Sequence, residues 1–324
     1  MVTSRPQPET GGDTVLRVER LVKRYGTVDA VRGIDLDVRR GEVFGFLGPN
    51  GAGKSTTIRC LMGLLRPTSG RVTAFGLDTW AQGVAARRRI AYLPGELRLP
   101  DRLTTLELVA TVGRLRGAFD PRRRDELAER LRLDLRRPLR DLSSGNRRKV
   151  ALLLAFLADA DLLALDEPTN GLDPLIQHEF LGLVREARAG GATVFLSSHV
   201  LSEVQRVADR VAVLRAGRVI ASGTVAELRG RARQRVEAWF EGPPPARDLL
   251  ALPGFADAAV DGQRFAATLI GPIQPLLDLL ARNPVASMLV EDPDLDDAFM
   301  GLYAANGVDV GGVDAGPGGP GGPQ

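Results

Sequence analysis

The chain has 324 residues, 44% hydrophobic and 26% charged, ordinary values for a soluble globular protein with room for one large domain and a smaller one. Its longest apolar run, Val150 to Ala158, is about half of the ~20 residues a membrane-spanning helix needs, and its single cysteine, Cys60, excludes a disulfide framework and makes a reducing cytoplasm the default expectation. A net charge of +3 invites a nucleic-acid reading. However, the basic residues are nearly all arginine scattered among acids, and the runs Arg87 to Arg89 and Arg122 to Arg124 lack interleaved aromatics, so solvated helix faces, with contact to lipid headgroups or a membrane partner as a second use, are expected.

Residues 1–14 are polar, with Pro6, Pro8 and Gly11-Gly12, and read as a disordered tail; no charged-then-apolar signal segment opens the sequence. Loose alternation over Val15 to Arg20 and clean alternation over Ile34 to Val38 predict a half-buried antiparallel pair, with Tyr25 between them. An aromatic close upstream of a phosphate loop suits a nucleotide base, and a plain strand-end tyrosine suits the sequence nearly as well. The apolar run Val43 to Leu47 predicts a strand, Gly48 to Thr56 a glycine loop, and the residues after Gly53 a helix. Short strands follow at Gly70 to Gly76 and Ile90 to Leu93. Thr104 to Glu107 has capping-box spacing and Pro121 fits a first helical position, so two helices between about 100 and 133 interrupt the α/β alternation as an inserted helical subdomain, bounded at about 97–160. Arg147 to Leu157 reads as a helix, Leu162 to Leu165 as a strand, Pro174 onward as a helix stopped by Gly190-Gly191, Thr193 to Leu196 as a strand, and Val211 to Ala221 as a hairpin. The fold class is α/β, a mostly parallel sheet covered on both faces, with an antiparallel β subdomain. From 230 to 306 a small α/β domain is expected, with strands at Arg231 to Phe240, Phe265 to Ile270 and Ala286 to Val290 and helices at Pro275 to Arg282 and Leu295 to Tyr303; 307–324 reads as a Gly/Pro-rich disordered tail.

The stretch Gly48-Pro49-Asn50-Gly51-Ala52-Gly53-Lys54-Ser55-Thr56 fits the phosphate-binding pattern G-x-x-x-x-G-K-[ST]. Glycines let backbone N–H groups approach phosphate oxygens, and the helix start adds a positive dipole end. Lys54 is placed to bridge β- and γ-phosphates and Ser55 to hold Mg²⁺. Asp166, at the end of an apolar strand, can hold Mg²⁺ through water, and Glu167 can orient and deprotonate an attacking water. Ser143, Ser144 and Gly145 at a helix start form an anion site or a simple cap, and His199, at a strand's carboxyl end, can hydrogen-bond a γ-phosphate. His178 reads as a surface residue.

Together these motifs resemble, over roughly Val15 to Leu228, the nucleotide-binding subunit of an ABC transporter, a P-loop NTPase. By that resemblance Gly48 to Thr56 is the Walker A loop, Leu142 to Asn146 the signature, Leu165 to Glu167 the Walker B end with its catalytic glutamate, Gly171 to Asp173 the D-loop, His199 the switch histidine and Tyr25 the adenine-stacking aromatic. Two departures stand out. Ser144 and Asn146 occupy places where the family usually has Gly and Gln, and the family's Q-loop glutamine is missing, Tyr92-Leu93-Pro94 being followed by Gly95 and Glu96, so that Glu96 becomes a candidate metal contact.

The resemblance implies ATP and Mg²⁺ as ligands and a head-to-tail dimer in which Ser143 and Gly145 of one copy close on ATP held by the other. It also implies a separate multi-span membrane permease, placing the chain at the cytoplasmic face of the membrane with no nucleic acid. The segment Glu291 to Phe299 resembles the tail of export ATPases, which points to a drug or lipophilic metabolite as cargo. Two alternatives stay open: a soluble ABC ATPase acting on ribosomes or DNA, and a low-turnover nucleotide-binding regulator.

Overall fold

The computed structural model describes residues 14–117, 119–231 and 234–291. The expected tails at 1–13 and 307–324, the expected helix Leu295 to Tyr303 and the export-type segment beyond Glu291 lie outside them. Thr14, expected in the tail, opens the first strand.

The chain divides into two compact units, at Leu228 and Arg229. The first begins with β1 (Thr14–Tyr25) and β2 (Val28–Arg39), paired antiparallel. Next come β3 (Val43–Leu47) and α1 (Lys54–Leu61), then β4 (Ser69–Ala74) and β5 (Leu77–Asp78), which complete a four-stranded sheet in the order β2-β1-β4-β5. Two short elements follow, α2 (Gly83–Arg88) and β6 (Ile90–Leu93). The helical insertion holds α3 (Thr105–Arg116), α4 (Pro121–Arg130) and α5 (Ser144–Leu157). Thr104 and Glu107 form the expected capping box, and Pro121 is the first residue of α4 after Asp120 caps it. Leu108, Leu139, Leu142 and Val150 give this insertion its own small core.

Then β7 (Leu162–Asp166), α6 (Pro174–Ala189), β8 (Thr193–Ser198), α7 (Leu201–Val204), β9 (Arg210–Arg215) and β10 (Arg218–Thr224) follow, and α8 (Val225–Arg231) begins in this unit and runs past Leu228. The main sheet runs β10-β9-β3-β8-β7-β6, parallel except for the β9–β10 hairpin. Its central strands β3, β7 and β8 are buried along their whole length, as continuous apolar runs in a sheet covered on both faces must be. Phe195 packs against Phe44 at 5.8 Å and Phe46 at 5.4 Å between ring centres, fixing β8 beside β3. Parallel strands all end on one edge, so the residues after β3, β6, β7 and β8 emerge together.

The second unit contains β11 (Gln234–Phe240), α9 (Ala246–Leu250), β12 (Phe255–Asp261), β13 (Arg264–Leu269), α10 (Gln274–Leu280) and β14 (Val285–Glu291), with an antiparallel sheet in the order β12-β13-β11-β14. Its core is Val236, Ala238, Phe240, Leu249, Phe265, Ala267, Leu276 and Leu280. The strand expected from Arg231 starts at Gln234, because Arg231 ends α8. The arginine runs are also not simply solvated faces. Arg87 donates to the Met62 and Gly63 carbonyls at 3.1 and 3.3 Å. Arg89 pairs with Asp161 at 2.8 Å and lies 3.9 Å over the Phe75 ring. Arg123 and Arg124 pair with Glu126 and Asp125.

Candidate active site

The glycines of the phosphate loop are required for two reasons, close carbonyls at Gly48 and Gly53 and a left-handed backbone at Gly51. Gly48 has φ 155°, and a Cβ there would lie 2.2 Å from the Leu214 carbonyl oxygen. Gly53 has φ 106°, and its Cβ would meet the Ala30 carbonyl at 2.5 Å. Gly51 has open space but a left-handed φ of 81°. Tight turning at these points delivers the chain from β3 into α1 with no side chain capping the helix and no acid in its first turn. The first N–H groups and the positive dipole end therefore face the loop, an arrangement suited to phosphate.

Lys54 is 5% exposed. Its ammonium donates to the Gly48 carbonyl at 2.6 Å and the Pro49 carbonyl at 3.2 Å, and pairs with Glu167 Oε1 at 3.0 Å. Glu167 follows β7 directly and holds a left-handed φ of 48°, strained for a glutamate, which turns its side chain back over the loop. Its other oxygen lies 2.7 Å from His199 Nδ1. Burial alone would push the Glu167 carboxyl up, but the Lys54 and His199 bonds outweigh it and hold the group below the usual glutamate range. The three expected catalytic residues thus form one chain: Lys54, Glu167, His199.

Asp166, 1% exposed, sits opposite Ser197 in the parallel register of β7 and β8. The Ser197 hydroxyl donates to Asp166 Oδ1 at 2.7 Å and accepts the Glu167 N–H at 3.1 Å. Asp166 Oδ2 is buried without a partner. Such an oxygen costs about 1–3 kcal/mol unless something supplies positive charge or a donor. The residues therefore fit Mg²⁺, which takes one or two protein oxygens and completes its shell with phosphates and water. No cluster of three or more His, Cys, Asp or Glu side chains suited to a metal exists among the described residues. Ser55 stands in the first turn of α1, next to Lys54.

A second cluster forms around the signature turn. Ser143 caps α5, its hydroxyl accepting the Asn146 N–H at 3.3 Å, so Ser144, Gly145 and Asn146 are the helix's first turn and not the approach to it. A Cβ at Gly145 would lie 2.7 Å from the Gly171 carbonyl, so only glycine lets the D-loop approach this closely. Asp173 caps α6 through the Ile176 N–H at 3.0 Å and lies 3.7 Å from Lys149. Tyr25 ends β1 with its ring 45% exposed and the Lys23 ammonium 5.3 Å from its centre. Glu96 lies at the surface, 83% exposed, its carboxylate 4.0 Å from Arg59.

Three residues that belong to the site escape sequence reasoning. Ser197 could have been found, since it lies next to the end of the strand beside the one that ends in Asp166. Gly95 packs its α-carbon side against Asp166, where a Cβ would come 3.0 Å from Oδ2. Arg148 reaches from α5 to the Pro94 and Gly95 carbonyls at 2.9 and 2.6 Å. Neither of these last two carries a local signal.

Comparison with known proteins gives a consistent result. The family model described as "ABC transporter" matches residues 31–170. A daunorubicin resistance ATP-binding protein of Streptomyces coeruleorubidus is 37% identical over 303 residues, 90% of this chain and 96% of that protein. A Nod factor export ATP-binding protein of Ralstonia nicotianae is 37% identical over 76% of this chain and 79% of its own length. Among solved structures, the ATP-binding subunit of an ABC transporter superposes with a TM-score of 0.62 at 33% identity, covering 67% of this chain and 93% of that one.

Proposed function

We propose that this chain, which belongs to the ABC transporter family as an ATP-binding subunit, hydrolyses ATP to drive export of a drug or lipophilic metabolite through a separate multi-span membrane permease. The observation that carries the hydrolytic part is the Lys54–Glu167–His199 chain beside a buried Asp166 with one oxygen unpartnered.

The chemistry follows from those contacts. The triphosphate competes with Glu167 for Lys54, since both are anions seeking one buried ammonium. Backbone N–H groups from Gly51 to Thr56 and the α1 dipole hold the β- and γ-phosphates, and Tyr25 offers its exposed ring to the base. Ser55 and Asp166 would hold Mg²⁺, which would neutralise charge on the phosphate oxygens. Glu167, released from Lys54 but still positioned by His199, accepts a proton from water as its oxygen attacks the γ-phosphorus. The bond to the β-phosphate oxygen breaks, leaving ADP and phosphate. Glu96 would have to leave Arg59 and the surface to act on the metal, so Ser55 and Asp166 are the ligands we propose.

Ser143 and Gly145 of a second copy, arranged head to tail, are proposed to complete the phosphate site. Closure then depends on the γ-phosphate, and turnover reverses it. Driving such an equilibrium from 1:99 to 99:1 takes about 5.5 kcal/mol of differential binding, which a few charge-assisted bonds of about 1.5–3 kcal/mol each can supply. Among the described residues no helix is long and apolar enough to cross a membrane. The export reading rests on the relatives' names; the match over 90% of the chain extends beyond the 228 residues of the first unit. Peripheral attachment at the cytoplasmic face follows from a permease partner, with no role for nucleic acid.

Steady-state turnover tests the reading. Wild type should hydrolyse ATP at least about 100-fold faster than Glu167→Gln, as loss of a general base predicts. Equal rates would refute the catalytic assignment, and stimulation by nucleic acid would move the function away from transport.

A further inference from the structure

Arg148 is a charged side chain, 7% exposed, that the motifs do not account for. Its guanidinium makes two hydrogen bonds, to the Pro94 carbonyl at 2.9 Å and the Gly95 carbonyl at 2.6 Å. Burial holds its proton affinity below the ordinary arginine value, against the opposing pull of Asp166 and Glu167. Packing alone is a poor reason for this choice, because a buried charge whose hydrogen bonds go only to neutral carbonyls costs stability that an apolar side chain of similar size would not.

The positions of its partners suggest a use. The Pro94–Gly95 peptide continues from β6 and rests on Asp166, close enough that a Cβ on Gly95 would come 3.0 Å from the unpartnered Oδ2. Arg148 itself lies in α5, whose cap is Ser143, about 7.5 Å along the helix axis at 1.5 Å per residue. Its neighbour Lys149 faces Asp173, 3.7 Å away, on the loop that follows β7. One helix turn thus grips the segments that leave two adjacent strands, β6 and β7, with the Asp166 carboxylate beside them.

We propose that Arg148 is a positioning residue that couples the Asp166–Glu167 pocket to the Ser143–Gly145 turn through the Pro94 and Gly95 carbonyls. The coupling is mechanical. Whatever comes to Asp166 Oδ2 must be accommodated by the peptide resting on it, and the two-pronged guanidinium passes that shift to α5 as a unit. A forked, planar donor is needed because one carbonyl alone would leave the peptide free to rotate about the bond. The inference rests on the ATPase reading above and can fail separately from it.

The test uses the full chain with Arg148→Met, which keeps bulk and removes both donors, and Arg148→Lys, which keeps the charge and one bond. Three readouts apply: equilibrium titration with a fluorescent ATP analogue, steady-state ATPase, and amide exchange over 143–147 with and without Mg-ATP. For Arg148→Met the expected result is ATP affinity within about threefold of wild type, kcat lower by about tenfold or more, and loss of the ATP-dependent change in exchange at the signature turn. Arg148→Lys should fall between, and it decides the matter should Arg148→Met not fold. The proposal is overturned by kcat within twofold of wild type, or by kcat and affinity falling in parallel, the pattern of general loosening. Wild type without turnover would sink the ATPase reading, and nucleotide-dependent exchange at 143–147 would still decide the role of Arg148.

Discussion

The two units bury polar groups in opposite ways. At the carboxyl edge of the first unit's main sheet Lys54, Asp166, Ser197 and Arg148 lie buried near one another, and Asp166 keeps an oxygen without a partner. In the second unit the little-exposed Glu237 is closed off between Arg235 and Arg264, and Arg264 also lies 5.9 Å from the Trp239 ring centre. The Arg264 hydrogen bond holds the Glu237 carboxyl below its usual range, with nothing left over for a ligand. The first arrangement keeps capacity in reserve at a cost in stability, as reaction sites do; the second is a finished surface cluster. The proposed chemistry therefore draws on the first sheet alone.

Substitutions that attack the difference should rank accordingly. Lys54→Ala removes the loop's cation and leaves Glu167 short of a partner. ATP affinity should fall about 100-fold, from one or two charge-assisted bonds at about 1.5–3 kcal/mol each, and a titration showing unchanged affinity would remove Lys54 from the site. Ser197→Ala strands Asp166 Oδ1 and removes one of the two acceptors of the Glu167 N–H, leaving it the Ser197 carbonyl. A loss of about 1–3 kcal/mol in unfolding free energy together with about tenfold lower kcat is expected, and chemical denaturation beside turnover assays measures both.

The acid limb offers a finer distinction. The folded-state Glu167 carboxyl is lowered, so its share of stability is present above the unfolded pKa and lost as pH falls through the lower folded value. In the free protein it stays ionised to lower pH than an ordinary glutamate, so the acid limb of kcat/KM should lie below the ordinary glutamate value of about 4.3, provided no other group titrates first. Smallest of all, Arg264→Met in the second unit should leave kcat within about twofold of wild type. A large drop there would erase the division between a working sheet and a supporting one.

Legibility of the sequence followed the same division. The phosphate loop could be read because its chemistry is local: glycines at forced backbone positions, then Lys54 and Ser55 on the next turn. The capping box at Thr104 and Glu107 and the Pro121 start were legible for the same reason. Arg148 and Gly95 were not, since their roles exist only after β6, β7 and α5 come together. In the second unit β12 escaped notice because Ala256, Ala258 and Ala259 carry little strand preference and Asp257, at φ 51°, interrupts the alternation. The short helix α9 follows three prolines at 243–245, a context that reads as loop.

The central claim is that ATP joins two copies of this chain through the Ser143–Gly145 turn. Analytical ultracentrifugation of Glu167→Gln tests it most directly, since that variant should hold ATP without consuming it. The account predicts a species of twice 34.8 kDa with Mg-ATP that reverts to one chain when nucleotide is removed, and that Ser143→Arg in the same background abolishes. A single-chain species at every ATP concentration, in a variant shown to bind ATP, would contradict it.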